Sequence, residues 1–140
     1  MVENRVLIYS KNIIIFWDDM DAYGHVNNAK YFTYMQECRF DWLKAVGVVV
    51  DTAQCGPILA ATSCKFVRPI TYPAQITVEM YAAGKVGKKT FFEHVIRDSV
   101  NPELVYALGE AITVWFDFTT NRSVLEPEQY RHLLPDLKQD

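Results

Sequence analysis

Between residues 29 and 46 the chain carries apolar side chains at three- and four-residue steps: Tyr31, Phe32, Met35, Cys38, Trp42, Leu43 and Val46. That spacing lines one face of an α-helix about 18 residues long. Lys30, Gln36, Arg39, Lys44 and Asp41 border the other side. Asn27 or Asn28 can cap its start, and Gly47 suits its end. Elsewhere the apolar pattern reads as strand. One long helix among several strands restricts the chain to an α+β arrangement in which a single antiparallel sheet wraps one helix.

The strands follow from local pattern. Val6 to Trp17 is rich in Ile, Val and aromatics, with Ile13-Ile14-Ile15-Phe16 breaking clean alternation. Ile58 to Arg68 runs into Pro69, which suits a strand end or a sheet edge. Gln75 to Ala83 alternates, Gly84 to Lys88 reads as a hairpin connection, and Thr90 to Arg97 returns. Val105 to Phe118 is a long last strand, bent at Gly109. The expected sheet therefore has five strands. Residues 1–140 form one domain, with 123–140 a C-terminal extension that reads as a short helix or a loosely attached tail. A sheet this long under one helix leaves apolar area uncovered, so self-association is expected.

Composition narrows the class. Fifty per cent hydrophobic and 22% charged residues over 140 positions are enough for a real core. Eight Tyr, eight Phe and three Trp exceed what so small a core needs, which points to a pocket or a subunit interface. Net charge is −3, yet residues 65 to 97 hold six cations (Lys65, Arg68, Lys85, Lys88, Lys89, Arg97) against Glu79 and Glu93. That excess reads as ordinary solvated strand faces or as a place for a phosphorylated small molecule; nucleic acid calls for a stronger basic bias. Three cysteines without metal or disulfide spacing, and no apolar run near membrane length, give a soluble, reducing, cytoplasmic setting as the expectation.

Chemistry concentrates in Asp21-Ala22-Tyr23-Gly24-His25-Val26-Asn27-Asn28, between the first strand and the helix. Ester or thioester cleavage needs a delivered nucleophile and a site for the charge that develops on the carbonyl oxygen. Asp21 can supply the first, and the unpaired N–H groups of the helix start, led by the Asn28 backbone, can supply the second. The same residues also suit plain capping and an Asx turn. Asp18 and Asp19 read as solvent-facing, and Gly24 as a backbone shape that a Cβ would obstruct. His25 is an auxiliary candidate, while Glu37 on the helix suits an ion pair. Tyr23, Tyr31, Phe32 and Met35 can line an acyl pocket or serve as core.

His94 reads as a packed strand residue. With His25, His132 and the cysteines it makes no metal-ligand spacing. The Gly84–Lys89 segment lacks Walker spacing, and no GxSxG elbow is present.

Residues 17–32 with Tyr34-Met35-Gln36-Glu37-Cys38-Arg39, then Arg68-Pro69-Ile70 and Phe116-Asp117-Phe118-Thr119-Thr120-Asn121-Arg122, resemble acyl-CoA thioesterases of the 4-hydroxybenzoyl-CoA type. The resemblance extends through about Glu128. It implies a hot-dog fold, Asp21 as catalytic carboxylate and the Asn28 N–H as carbonyl-polarising donor. Tyr23, Asn27, Tyr31, Phe32, Met35, Arg68 and Lys88 are the candidate substrate contacts, read from the residues and not from the resemblance, with a solvated hairpin as the other reading of Lys88. The resemblance also implies acyl-CoA as substrate with no separate cofactor or metal, and a homodimer joined sheet edge to sheet edge that pairs again into a tetramer. The chain departs from the family at Tyr72-Pro73-Ala74-Gln75, in place of a Gly-Asp turn, and at Gln36 and Cys38 around Glu37. An acyl-carrier-protein thioesterase, a dehydratase of the same fold and a non-catalytic acyl-thioester binder stay open as alternatives.

Overall fold

The computed structural model describes residues 4–135. Its elements are β1 (Val6–Ile14), α1 (Asn28–Ala45), β2 (Cys55–Phe66), β3 (Gln75–Val86), β4 (Lys89–Asp98), β5 (Val105–Asp117) and β6 (Arg122–Val124), with 3-10 turns at Trp17–Asp19 and Glu128–Leu133. The strands pair antiparallel in the order β1-β3-β4-β5-β2. β6 pairs with Trp115 to Asp117 of β5, beyond the point where β4 ends opposite Val114. The sheet therefore has six strands where the pattern predicts five, because three residues are too few to show a period.

The helix matches its predicted 18 residues and lies on the sheet with Tyr31, Tyr34, Met35, Cys38 and Trp42 buried. These meet Ile76, Val78, Met80, Phe92, Ile96, Ala107 and Ala111 in one core. At its end Gly47 adopts φ 81°, its N–H bonds the Lys44 carbonyl at 3.2 Å, and Val48 N–H bonds the Leu43 carbonyl at 2.9 Å. That pair is a Schellman termination, and it turns Val48 into the core.

Gly109 is where helix and sheet come closest. A Cβ there would stand 2.1 Å from the Met35 sulfur, so its glycine serves close approach rather than the expected bend.

Three boundaries differ from expectation. β1 stops at Ile14 because the Asp19 carboxylate accepts the Phe16 N–H at 3.1 Å and folds the chain into the first 3-10 turn. β2 starts at Cys55 and carries Pro57, which an edge strand tolerates. The β3–β4 connection is a two-residue loop at Gly87 and Lys88, with Gly87 at φ 59°. The tail is tied down rather than loose: Tyr130 stacks on Trp115 with centroids 5.3 Å apart.

Candidate active site

The loop between β1 and α1 closes on itself. Met20 and Val26 form an isolated antiparallel bridge, and Asp21 N–H donates to the His25 carbonyl at 2.9 Å. Gly24 N–H donates to the Asp21 carbonyl at 3.0 Å, which closes a four-residue turn. Gly24 sits at φ 75°, and nothing lies within 4 Å of the place a Cβ would take. This is the glycine-favouring backbone shape expected at Gly24, and the dihedral, not a crowded neighbour, is what resists a side chain there.

This turn sets Asp21 beside the helix start. Its Oδ1 accepts the Tyr23 N–H at 2.9 Å, the Asx turn that such a residue favours. Its Oδ2 has only a long 3.5 Å contact, from Asn27 Nδ2. Asn27 is the N-cap, and its Oδ1 accepts the Ala29 N–H at 2.9 Å. Lys30 N–H bonds the Asn27 carbonyl at 2.9 Å. The Asn28 N–H is thus left as the first-turn amide with no acceptor among the described residues. A carboxylate oxygen with spare lone pairs and an unclaimed helix N–H lie on the two sides of one asparagine.

Asp19 corrects the sequence reading. It is 7% exposed, not solvent-facing. Its carboxylate accepts the Tyr34 hydroxyl at 2.9 Å and lies 3.5 Å from Lys30 Nζ. Burial, reinforced by that carboxylate, pushes the Tyr34 phenol well above its usual range, so it stays a donor. Asp19 also receives Asn27 N–H on its carbonyl at 3.0 Å. It is the anchor that pins the loop to the helix.

Asp21 faces an open cleft of about 440 Å³, walled by Trp17, Asp18, Met20, Gly24 and Tyr72. Sequence reading missed Trp17 and Tyr72 as walls. The signal was there for Tyr72, which stands where the chain departs from the family's Gly-Asp turn. Phe16, Trp17, Tyr23 and Tyr72 are all exposed in and beside this loop.

The remaining predicted contacts divide. Tyr31 is buried, with its hydroxyl accepting the Ile70 N–H at 3.3 Å and donating to the Arg68 carbonyl at 3.5 Å. Burial raises its pKa. Phe32 is half-buried and meets Phe66 edge-on, while Met35 is fully buried in the core. Asn27 is occupied with the cap and Asp21. His25 is exposed and makes no side-chain hydrogen bond among the described residues. Arg68 is exposed after β2.

Lys88 sits in the β3–β4 loop, at the opposite end of the sheet, and donates to the Ser123 carbonyl at 3.0 Å. The other cations of the basic stretch are partly spent: Arg97 pairs with Glu79 at 2.6 Å and Lys85 with Glu126. Glu37, expected in an ion pair, is exposed and forms none among the described residues. The same residues hold no group of side chains able to bind a metal.

This six-stranded sheet around one helix, with a carboxylate loop at the helix start, is a hot-dog fold, and residues 15–134 match the family model described as the Thioesterase-like superfamily. The chain belongs to that family. Among solved structures it is similar to the PA2801 protein of Pseudomonas aeruginosa, which carries a provisional thioesterase name: 34% identity, TM-score 0.83, covering 91% of this chain and 98% of that one. A Xanthomonas campestris protein provisionally named an acyl-CoA thioesterase is 34% identical, with TM-score 0.73, over 79% of this chain and 93% of its own. The chloroplastic acyl-acyl carrier protein thioesterase ATL3 of Arabidopsis thaliana is 30% identical over 71% of this chain. The match spans 53% of that plant protein, about half its length.

Proposed function

We propose that this chain hydrolyses acyl-CoA thioesters to the free acid and coenzyme A. What carries the reading is the placement of Asp21 Oδ2 3.5 Å from the amide of Asn27, the cap of a helix whose Asn28 N–H is unclaimed. In this mechanism the thioester carbonyl oxygen lies on the Asn28 N–H, which takes up the charge of the tetrahedral intermediate. Asp21 receives a proton from the attacking water, or attacks itself to give an anhydride that water then opens. On the first route collapse expels the thiolate, which leaves as thiol with that proton; on the second the thiolate leaves as the anhydride forms, and the opening of the anhydride by water releases the proton that balances it. His25, exposed beside the loop, is an auxiliary contact to the substrate. The exposed aromatics and the unpaired β2 edge support a homodimer, pairing again into a tetramer, with the cleft completed at the subunit boundary. A cytoplasmic setting is part of the same reading; no described helix is long and apolar enough to cross a membrane.

The likeness to the plant acyl-acyl carrier protein thioesterase favours one second reading, in which the acyl group arrives on a carrier protein. A dehydratase is less favoured, since His25 has no partner among the described residues to orient it as a base. A panel of acyl-CoAs and acyl carrier proteins, read by thiol release, separates these. Asp21→Asn should lower turnover at least about 100-fold with assembly preserved in sedimentation. Unchanged turnover in that variant removes Asp21 from the mechanism, and hydration without thiol release selects the dehydratase.

A further inference from the structure

A second cavity, of about 550 Å³, lies under the C-terminal half of α1, and none of the residues walling the Asp21 cleft lines it. Its volume falls in the roughly 300–1,000 Å³ range of small-molecule sites. Trp42 and Leu43 of the helix form one wall, Met80 and Phe92 of the sheet another. The C-terminal segment closes it, with Tyr130 stacked on Trp115. That segment is tethered through Glu126, which pairs with Lys85 and stands 3.9 Å from Arg131.

The lining is apolar but not neutral. It includes Arg39, Lys85 and Arg131 against the single carboxylate Glu126. Lys85 and Arg131 share that carboxylate. Arg39 has none among the described residues. Its polar contact is with His94, whose Nε2 lies 3.2 Å from Arg39 Nη1, while His94 Nδ1 lies 3.1 Å from the Glu79 carbonyl. A carbonyl can only accept, so Nδ1 carries the proton and Nε2 accepts from the guanidinium; His94 is neutral and offers Arg39 no counter-charge.

One of five guanidinium donors is thereby used. No fully buried side-chain nitrogen among the described residues lacks a partner, so the other guanidinium nitrogens of Arg39 are accessible, and Arg39 is one of the residues that line this cavity. Burial already lowers the Arg39 pKa, as for a guanidinium held without an anion. Sequence reading set Arg39 on the polar side of the helix; the structure half-buries it here.

We propose that this cavity binds a fatty acid, its hydrocarbon chain between Trp42, Phe92 and Trp115 and its carboxylate on Arg39. The site is separate from the Asp21 cleft, and the proposal stands whether or not the chain is a hydrolase. It is tested by calorimetry and tryptophan fluorescence on the full chain at pH 8, with sodium laurate below its micelle concentration. Dodecanol is the uncharged match and coenzyme A the anion without a chain.

The expected result is one laurate per chain, with dodecanol at least about tenfold weaker, the size of one charge-assisted contact, and no heat from coenzyme A that laurate displaces. Arg39→Met should bring laurate down to the dodecanol level. Because that variant also loses the His94 contact, Thr113→Phe, which fills the cavity from β5, is the second arm and should abolish both ligands. Asp21→Asn should bind laurate as the parent does. Equal binding of laurate and dodecanol, undiminished laurate binding in either cavity variant, or loss of binding in Asp21→Asn would overturn the proposal, as would no binding at all.

Discussion

Asn27 joins the two halves of the candidate site through the two ends of one amide: its oxygen caps the helix and its nitrogen reaches Asp21. Serine also caps helices, but its one oxygen, held at the Ala29 N–H, falls short of Asp21, which the longer amide of Asn27 reaches only at 3.5 Å. Asn27→Ser is therefore expected to lower kcat about tenfold with KM and stability nearly unchanged, whereas Asn27→Ala should cost a further ~1 kcal/mol of stability through the lost cap. Steady-state kinetics paired with urea unfolding checks this, and a rise in KM with kcat unchanged would show that Asn27 contacts substrate instead of positioning Asp21. Gly24 makes a complementary case, because at φ 75° with open space around it only the dihedral resists a side chain. Gly24→Ala should cost on the order of 1–2 kcal/mol, read from the urea midpoint. At this scale the Asx turn at Asp21, the turn glycine and the cap were legible in the sequence, since all three are local. It misplaced Asp19, whose partner Tyr34 lies 15 positions further along the chain, inside the helix. An Asp-Asp pair after a strand carries no local sign of which carboxylate turns inward.

Elements were legible where a period had room to repeat. α1 matches in length, and β3 buries Ile76, Val78, Met80 and Ala82 in strict alternation. β4 is buried on both faces from Phe92 to Ile96, so alternation fails there for the same reason that it succeeds in β3. β6 was not legible, being three residues long, whereas the short helix that was one reading of the tail is present as the 3-10 turn Glu128–Leu133.

The contact of α1 with β5 was also hidden, since Gly109 reads as a bend until the Met35 sulfur is seen over it. Gly109→Ala should destabilise by about 1–3 kcal/mol as Met35 is displaced, and Met35→Ala by about 2–5 kcal/mol through the cavity it leaves. Made together, the two should cost clearly less than their sum, because the alanine methyl then occupies space that Met35 has vacated. A double-mutant cycle in urea reads the coupling; strict additivity would mean that the helix does not rest on this glycine.

At the scale of the molecule, the larger cavity could not be read from the sequence, because it gathers residues from distant segments, whereas the Asp21 cleft takes only Tyr72 from outside residues 17–24. The wall of the larger one runs from Gln36 to Pro135. The buried polar group beside it also makes a claim on the whole fold. Burial first, and then the Arg39 charge, push the His94 pKa down from 6.5 to about 3. The folded chain thus holds His94 neutral where the unfolded chain protonates it. Below pH 6.5 unfolding takes up a proton, so stability must fall with decreasing pH down to about 3. The slope from this one group approaches about 1.4 kcal/mol per pH unit.

Asp98, held by the Asn101 N–H and the Tyr106 hydroxyl, has a lowered pKa. Its contribution is present above the ordinary carboxylate range and is lost only as pH falls through and below it. Between pH 7 and 5 the His94 effect therefore stands apart, and it should remove about 2 kcal/mol of unfolding free energy. His94→Gln keeps an acceptor for Arg39 and has nothing to titrate. Its unfolding free energy starts lower at pH 7 but should lose less on going to pH 5 by that same margin. Urea midpoints for both chains at the two pH values decide the matter, and parallel losses would show that His94 takes up its proton without the fold giving way.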